Sequence, residues 1–115
     1  MTVESDLFAA IKSLTTNRCF PDVAPNGATA PYTVFQQVGG SAFNFLESAV
    51  VGKRNARFQV SSWATTRIAA KALALSVEDA LVASTLRAYV LGAPTSVYES
   101  ETLMYGCHQD FTIFY

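Results

Sequence analysis

Charged residues are scarce in this sequence. They make up 15% of its 115 residues, against about 25% in typical soluble domains. The formal net charge is −1, so no basic excess is available to neutralise nucleic-acid phosphates, and no nucleic-acid partner is expected. Half of the residues are hydrophobic. Such a composition is typical of a chain that covers part of its surface in an oligomer, or of a monomer with a well-filled core.

Cysteine and long hydrophobic runs are also scarce. Cys19 and Cys107 are too few and too far apart in the sequence for a metal-binding motif, so we expect two small, half-buried thiols. No apolar run reaches the length of a transmembrane helix. The acidic, amphipathic N-terminal segment lacks the basic start of a signal peptide. The sequence therefore predicts synthesis in the cytoplasm, without a metal site or a membrane partner.

Residues that could do chemistry do not form a recognisable active site. His108 is the only histidine, and Asp110 shares its face of a predicted strand, so the pair could orient an imidazole for general-base catalysis. A histidine held by hydrogen bonds in a strand is the simpler interpretation. One cysteine could also meet His108 in space. Residues 51–55 lack the upstream glycine and the Ser or Thr of a phosphate-binding loop. No catalytic, cofactor-binding or metal-binding residue is predicted.

The hydrophobic pattern predicts an α+β fold. Apolar residues at intervals of three and four predict helices, and alternating or β-branched runs predict strands. The predicted helices cover residues 3–14 and about 66–84, and the predicted strands cover residues 32–38, 55–64, 87–91, 96–105 and 107–114. The last two strands are expected to join near Gly106. We expect one domain, residues 1–115, with an antiparallel β-sheet of about four to five strands and two α-helices packed on one face.

Two segments are candidates for contact with other proteins. The second helix carries apolar residues outside its main apolar face, and residues 39–54 combine aromatic residues with a basic end. The candidate interface residues are Phe43, Phe45, Leu46, Lys53, Arg54, Lys71, Leu75 and Val82. The apolar residues of the loop could instead pack on their own sheet, and a loop of the same chain could cover the helix.

At four places the sequence resembles the phage tail completion family. An amphipathic N-terminal helix leads into FPDVAPNGATAPYTVFQQV, residues 20–38, which is similar to the opening loop and strand of that family. Residues 55–81 resemble its strand followed by a long alanine-rich helix. HQDFTIFY, residues 108–115, resembles its closing strand.

The resemblance implies a structural protein of the phage head–tail junction. Such proteins form a ring, commonly hexameric, that ends the tube of a long non-contractile tail and joins it to the head. The implied partners are the tail-tube protein, a head-completion or connector protein and further copies of the chain, which can be a monomer in isolation. No reaction and no cofactor are implied, and the implied location is the virion. The alternative is a small ligand-binding or enzymatic α+β domain with a pocket near His108.

Overall fold

Two α-helices and six strands form in the residues that the structure, a computed structural model, describes, which are 2–40 and 54–115. The helices are α1 (Val3–Ile11), continued by a 3-10 turn (Lys12–Thr15), and α2 (Arg67–Ala83). The strands are β1 (Cys19–Pro21), β2 (Tyr32–Gly39), β3 (Asn55–Ala64), β4 (Arg87–Val90), β5 (Thr95–Glu99) and β6 (Met104–Phe114). The predicted α+β class is confirmed, with one strand more than expected.

Both helices begin at a threonine whose side chain caps the first turn. The Thr2 hydroxyl accepts a hydrogen bond from the backbone N–H of Ser5 at 3.0 Å, and Ser5 Oγ accepts one from the N–H of Thr2. At α2, the hydroxyl of Thr66 accepts from the N–H of Ala69 at 3.1 Å. Each of these side-chain oxygens accepts a hydrogen bond from a backbone N–H that has no partner within the helix. The caps therefore define where the helices start.

The sheet is mostly antiparallel and is centred on β3 and β6. Its order is β1-β2-β3-β6-β4, with β5 also paired to β6, and only β1 and β2 run parallel among these pairs. Strands β4 and β5 lie end to end on the same side of β6, where they pair with residues 111–114 and 104–108 respectively. Together they form one interrupted outer strand.

A buried glutamine, Gln109, forms hydrogen bonds at the break between β4 and β5. The side-chain Nε2 of Gln109 donates to the carbonyl oxygen of Gly92 at 2.8 Å and to Oε1 of Glu78 at 2.7 Å. Gln109 thereby connects the break in the outer strand to α2, because Glu78 belongs to that helix. The amide thereby provides a donor for the Gly92 carbonyl, which lies between the two strands and outside their ladder hydrogen bonds.

Two local predictions are wrong. The last two strands do not join near Gly106, because the turn that connects them is at residues 100–103 and Gly106 lies inside β6. Gly106 is opposite Trp63, and a Cβ at this position would lie 2.7 Å from ring carbons of that residue. The glycine therefore makes room for an indole ring. The predicted loop between α1 and β2 also contains β1, which is extended because it pairs with β2.

The hydrophobic core lies between the helices and one face of the sheet. Side chains of a strand alternate between its faces, so alternate residues of β3 and β6, and of the first half of β2, point to this core. The fully buried core residues include Leu7, Ile11, Phe58, Val77, Leu81, Phe111 and Ile113. The opposite face of the sheet is not covered by α1 or α2, and it carries the site described below.

Alanine substitutions at two leucines of α2 test this arrangement. Leu81 is 0% exposed and Leu75 is 55% exposed. We expect Leu81→Ala to lower the free energy of unfolding by about 2–5 kcal/mol, because it leaves a cavity in the core. Leu75→Ala should change it by less than about 0.5 kcal/mol. Urea denaturation of dilute protein measures both, and similar losses in the two variants would contradict the described packing.

Candidate functional site

A cleft of about 590 Å³ opens on the sheet face that the helices leave uncovered. Its floor consists of outward-facing residues of β2, β3 and β6, among them Tyr32, Gln59, Trp63 and His108. Residues 22–28 form a wall, and Glu99 and Thr102 also line the cleft. The alternation that buries one side of each strand in the core thus places polar and aromatic side chains together on the other side.

The wall of the cleft is the proline-rich loop that follows β1. The backbone N–H of Asp22 donates to the carbonyl of Phe35 at 2.9 Å, and that of Ala28 donates to Pro25 at 3.1 Å. These bonds tie the loop to β2 and to itself. Asp22 and Gly27 have φ values of 63° and 76°, which Asp, Asn and Gly adopt more readily than other residues. The loop therefore has a defined shape and presents Val23, which is 76% exposed.

His108 is held in the floor of the cleft by its neighbours. Its Nδ1 is hydrogen-bonded to the hydroxyl of Ser61, and its ring meets Trp63 edge to face with centroids 5.9 Å apart. Burial lowers the pKa of His108 from its ordinary value of 6.5, and this effect exceeds the opposing effect of the Asp110 charge. The imidazole is therefore neutral at pH 7.

Asp110 is bound by an arginine. Nε of Arg57 donates to Oδ2 of Asp110 at 2.9 Å, and Nη2 of the same arginine contacts that oxygen as well. The carboxylate and the imidazole of His108 therefore have separate partners. The pair that could orient a general base is not formed, and the interpretation of His108 as a hydrogen-bonded strand residue agrees with the structure.

Neither cysteine contributes to the cleft. Cys19 and Cys107 are free thiols that are 4% and 1% exposed, and Cys107 faces the helices because it alternates with His108 along β6. Burial raises the pKa of the Cys19 thiol, which disfavours the reactive thiolate. Both thiols are more buried than the half-buried state expected. The proposed meeting of a cysteine with His108 is not observed.

Residues 2–40 and 54–115 contain neither a cluster of metal-ligating side chains nor a membrane-spanning helix. Within these ranges, no group of three or more His, Cys, Asp and Glu side chains is placed to hold a metal ion. Neither α1 nor α2 has the length and hydropathy needed to cross a bilayer, and the described residues form no other such helix.

Four of the eight predicted interface residues lie in the described part of the chain. Lys71, Leu75 and Val82 are exposed on α2, and Arg54 is exposed at the start of β3. Phe43, Phe45, Leu46 and Lys53 lie outside the described residues. Ile68, which is 84% exposed and also lies on α2, was not among the predicted residues. Ile68, Leu75 and Val82 are spaced seven residues apart, and this spacing is the sequence signal that would have added Ile68 to the predicted residues.

Two helices on one face of a mostly antiparallel sheet, with a cleft on the other face, define a small α+β protein. The family model described as "Tail completion protein gp17" matches residues 7–115. The chain belongs to this family, and it is a structural protein of a phage tail.

Solved structures with a similar fold include a chain of a virus-like particle. The matching chain is from the "Virion of native gene transfer agent (GTA) particle", with a TM-score of 0.58 and 18% sequence identity, and the match covers 97% of this chain and 92% of that chain. No match among curated proteins reaches significance. At this identity the match shows a shared fold, and membership of the tail completion family rests on the family model.

The lowered pKa of His108 predicts a pH dependence of stability. The unfolded chain takes up a proton near pH 6.5, whereas the folded chain resists protonation until the pH is lower. Stability is therefore full above pH 6.5 and is lost as the pH falls through the pKa of the folded state. Urea denaturation between about pH 7 and pH 5 should show a steeper loss for the wild type than for His108→Asn.

The difference between the wild type and His108→Asn reports on the His108 imidazole alone. The chain has a single histidine, and both proteins have the same carboxylates. An NMR titration of the imidazole should independently give a pKa below 6.5. Parallel stability curves, or a pKa at or above that value, would show that the ring is not desolvated in the way the structure describes.

Proposed function

We propose that this chain is a non-enzymatic structural protein of the phage head–tail junction. On this proposal it forms a ring, commonly of six copies, that ends the tail tube and joins it to the head. Its partners are the tail-tube protein and a head-completion or connector protein, and residues 1–115 act as one tail-completion domain. The observation that carries the proposal is the match of the family model to residues 7–115.

The sheet offers a physical basis for ring formation. In the described residues, β1 hydrogen-bonds to a strand on one side only, and so do β4 and β5 at the opposite end of the sheet. Unpaired strand edges are ready to pair with another chain. A contact between two different edges is head-to-tail, and such contacts close into a ring when the rotation between copies permits it.

The chemistry of the cleft supports a non-enzymatic role. The candidate base, His108, is bonded to Ser61, while Asp110 is held by Arg57 and both cysteines are buried away from the cleft. The shaped loop of residues 22–28 and the exposed Val23 suit a surface that contacts another protein. On this proposal the cleft is part of a contact surface in the assembled tail.

The cleft also favours one alternative, a small ligand-binding or enzymatic domain. Its volume of about 590 Å³ falls in the range of roughly 300–1,000 Å³ that is common for small-molecule sites. His108, Trp63 and Tyr32 would contact the ligand, because all three line the cleft. The two readings differ in whether His108 is needed for function.

Deletion of the gene tests the junction role. We expect particles from the deletion strain to consist of filled heads and separate tails, or of tails with irregular lengths, because the tube then lacks its terminating ring. Negative-stain electron microscopy of lysates measures both features, and a plasmid copy of the wild-type gene is the control. Normal infectious particles from the deletion strain would overturn the proposal.

Complementation with His108→Ala separates the junction role from the alternative. The structural proposal predicts that this variant, if circular dichroism shows it to be folded, restores joined particles to a titre within about tenfold of the wild type. A tenfold lower titre is still compatible with the structural proposal, because a single contact residue typically contributes little to a large interface. Complete failure of a folded variant would favour a ligand-binding or catalytic site at His108.

A further inference from the structure

Three exposed apolar residues form a line on the outer side of α2. Ile68, Leu75 and Val82 are 84%, 55% and 56% exposed. They are spaced seven residues apart, which is close to two turns of an α-helix, so their side chains follow one another along the helix. The buried residues of α2 include Leu73, Val77 and Leu81, which face the core. We call Ile68, Lys71, Leu75, Asp79 and Val82 the outer stripe.

The outer stripe is self-complementary about Leu75. Ile68 and Val82 lie seven positions before and after it, and Lys71 and Asp79 lie four positions before and after it. Residues four positions away fall on opposite flanks of the line that the apolar residues define, since they are rotated in opposite directions. Lys71 and Asp79 are both exposed and carry opposite charges.

This symmetry favours a second copy of the same chain as the binding partner of the outer stripe. A two-fold axis through Leu75 brings a second α2 into antiparallel contact, so that residues equally distant from Leu75 on opposite sides face each other. Ile68 then meets Val82 of the second copy, Leu75 meets its own equivalent, and Lys71 meets Asp79. Every charge of the stripe faces an opposite charge, and every apolar residue faces an apolar one.

We propose that two copies of this chain associate through an antiparallel, two-fold contact between their outer stripes. The contact is isologous, and therefore closes on itself as a dimer and does not propagate. The free strands that we propose for ring formation lie at the edges of the sheet, whereas the stripe lies on the outside of the helical layer. The two contacts use different surfaces, and the dimer forms without a tail.

A contact along one helix face is small. It buries less than the roughly 800 Å² per partner of a standard interface, so the dimer is weak, with a Kd on the order of 100 µM. Exposed ion pairs contribute modestly and are screened by salt. Replacing two attractive pairs by two repulsive ones should nevertheless raise the Kd by roughly tenfold or more.

Charge reversal at the flanks of the stripe tests the proposal. Lys71→Asp gives a stripe with only acidic charged groups, and Asp79→Lys gives one with only basic groups. Each variant alone should dimerise about tenfold more weakly than the wild type, because like charges then face each other. An equimolar mixture should recover the wild-type Kd, since both facing pairs are attractive again in the mixed dimer.

Sedimentation equilibrium of the purified chain at low salt, up to about 1 mM protein, measures these constants. Lys12→Asp on α1 and Glu101→Lys in the turn before β6 are matched controls, because both positions are exposed and each repeats one of the changes in net charge. The controls should leave the Kd within about twofold of the wild type. Circular dichroism confirms that every variant is folded.

Three results would overturn the proposal. They are a wild-type chain that stays monomeric at the highest concentration, a dimer that survives both charge reversals, and a mixture that associates no better than its components. None of them bears on ring formation, which requires tail tubes and is measured by microscopy. Conversely, a failure of the junction role would leave the dimer in solution unchanged, so the two proposals can fail separately.

Discussion

The structure depends on the pairing of β3 with β6. All ten residues of β3 face a partner on β6, and the other side of β6 carries both β4 and β5. Phe58 of β3 and Phe111 of β6 face each other and are 0% exposed beneath the helices. Because burial on one face specifies the register of a strand pair, this core also determines which residues reach the opposite face.

The two faces of the sheet have different consequences for function. The buried face places α1 and α2 and leaves one side of α2 to solvent, where Ile68, Leu75 and Val82 are exposed. The other face forms a cleft in which His108 is hydrogen-bonded to Ser61 and its ring packs against Trp63. In the described residues, a sheet with one covered face leaves strand edges, one side of α2 and a cleft at the surface of a small domain.

Most of the fold could be predicted from local patterns. Strand β3 has the predicted bounds, because alternation over ten residues is a strong local signal. Strand β1 was missed because Cys19–Pro21 is extended only through its pairing with β2, and its proline is not a strand residue. The position of Gly106 inside β6 depends on Trp63, which is distant in the sequence. Such long-range contacts leave no local pattern.

Local patterns alone predict the α+β class, the resemblance to phage tail completion proteins and a second apolar stripe on α2 with Leu75 and Val82, because helical periodicity and family motifs are properties of short segments. That this stripe is exposed is seen only in the structure. The cleft, in contrast, forms only when distant segments come together in the folded chain. Residues 22–28 and His108 belong to segments far apart in the chain, and strand pairing brings them to one face. The same pairing gave His108 and Asp110 separate partners, since Ser61 and Arg57 are presented by the neighbouring strand β3.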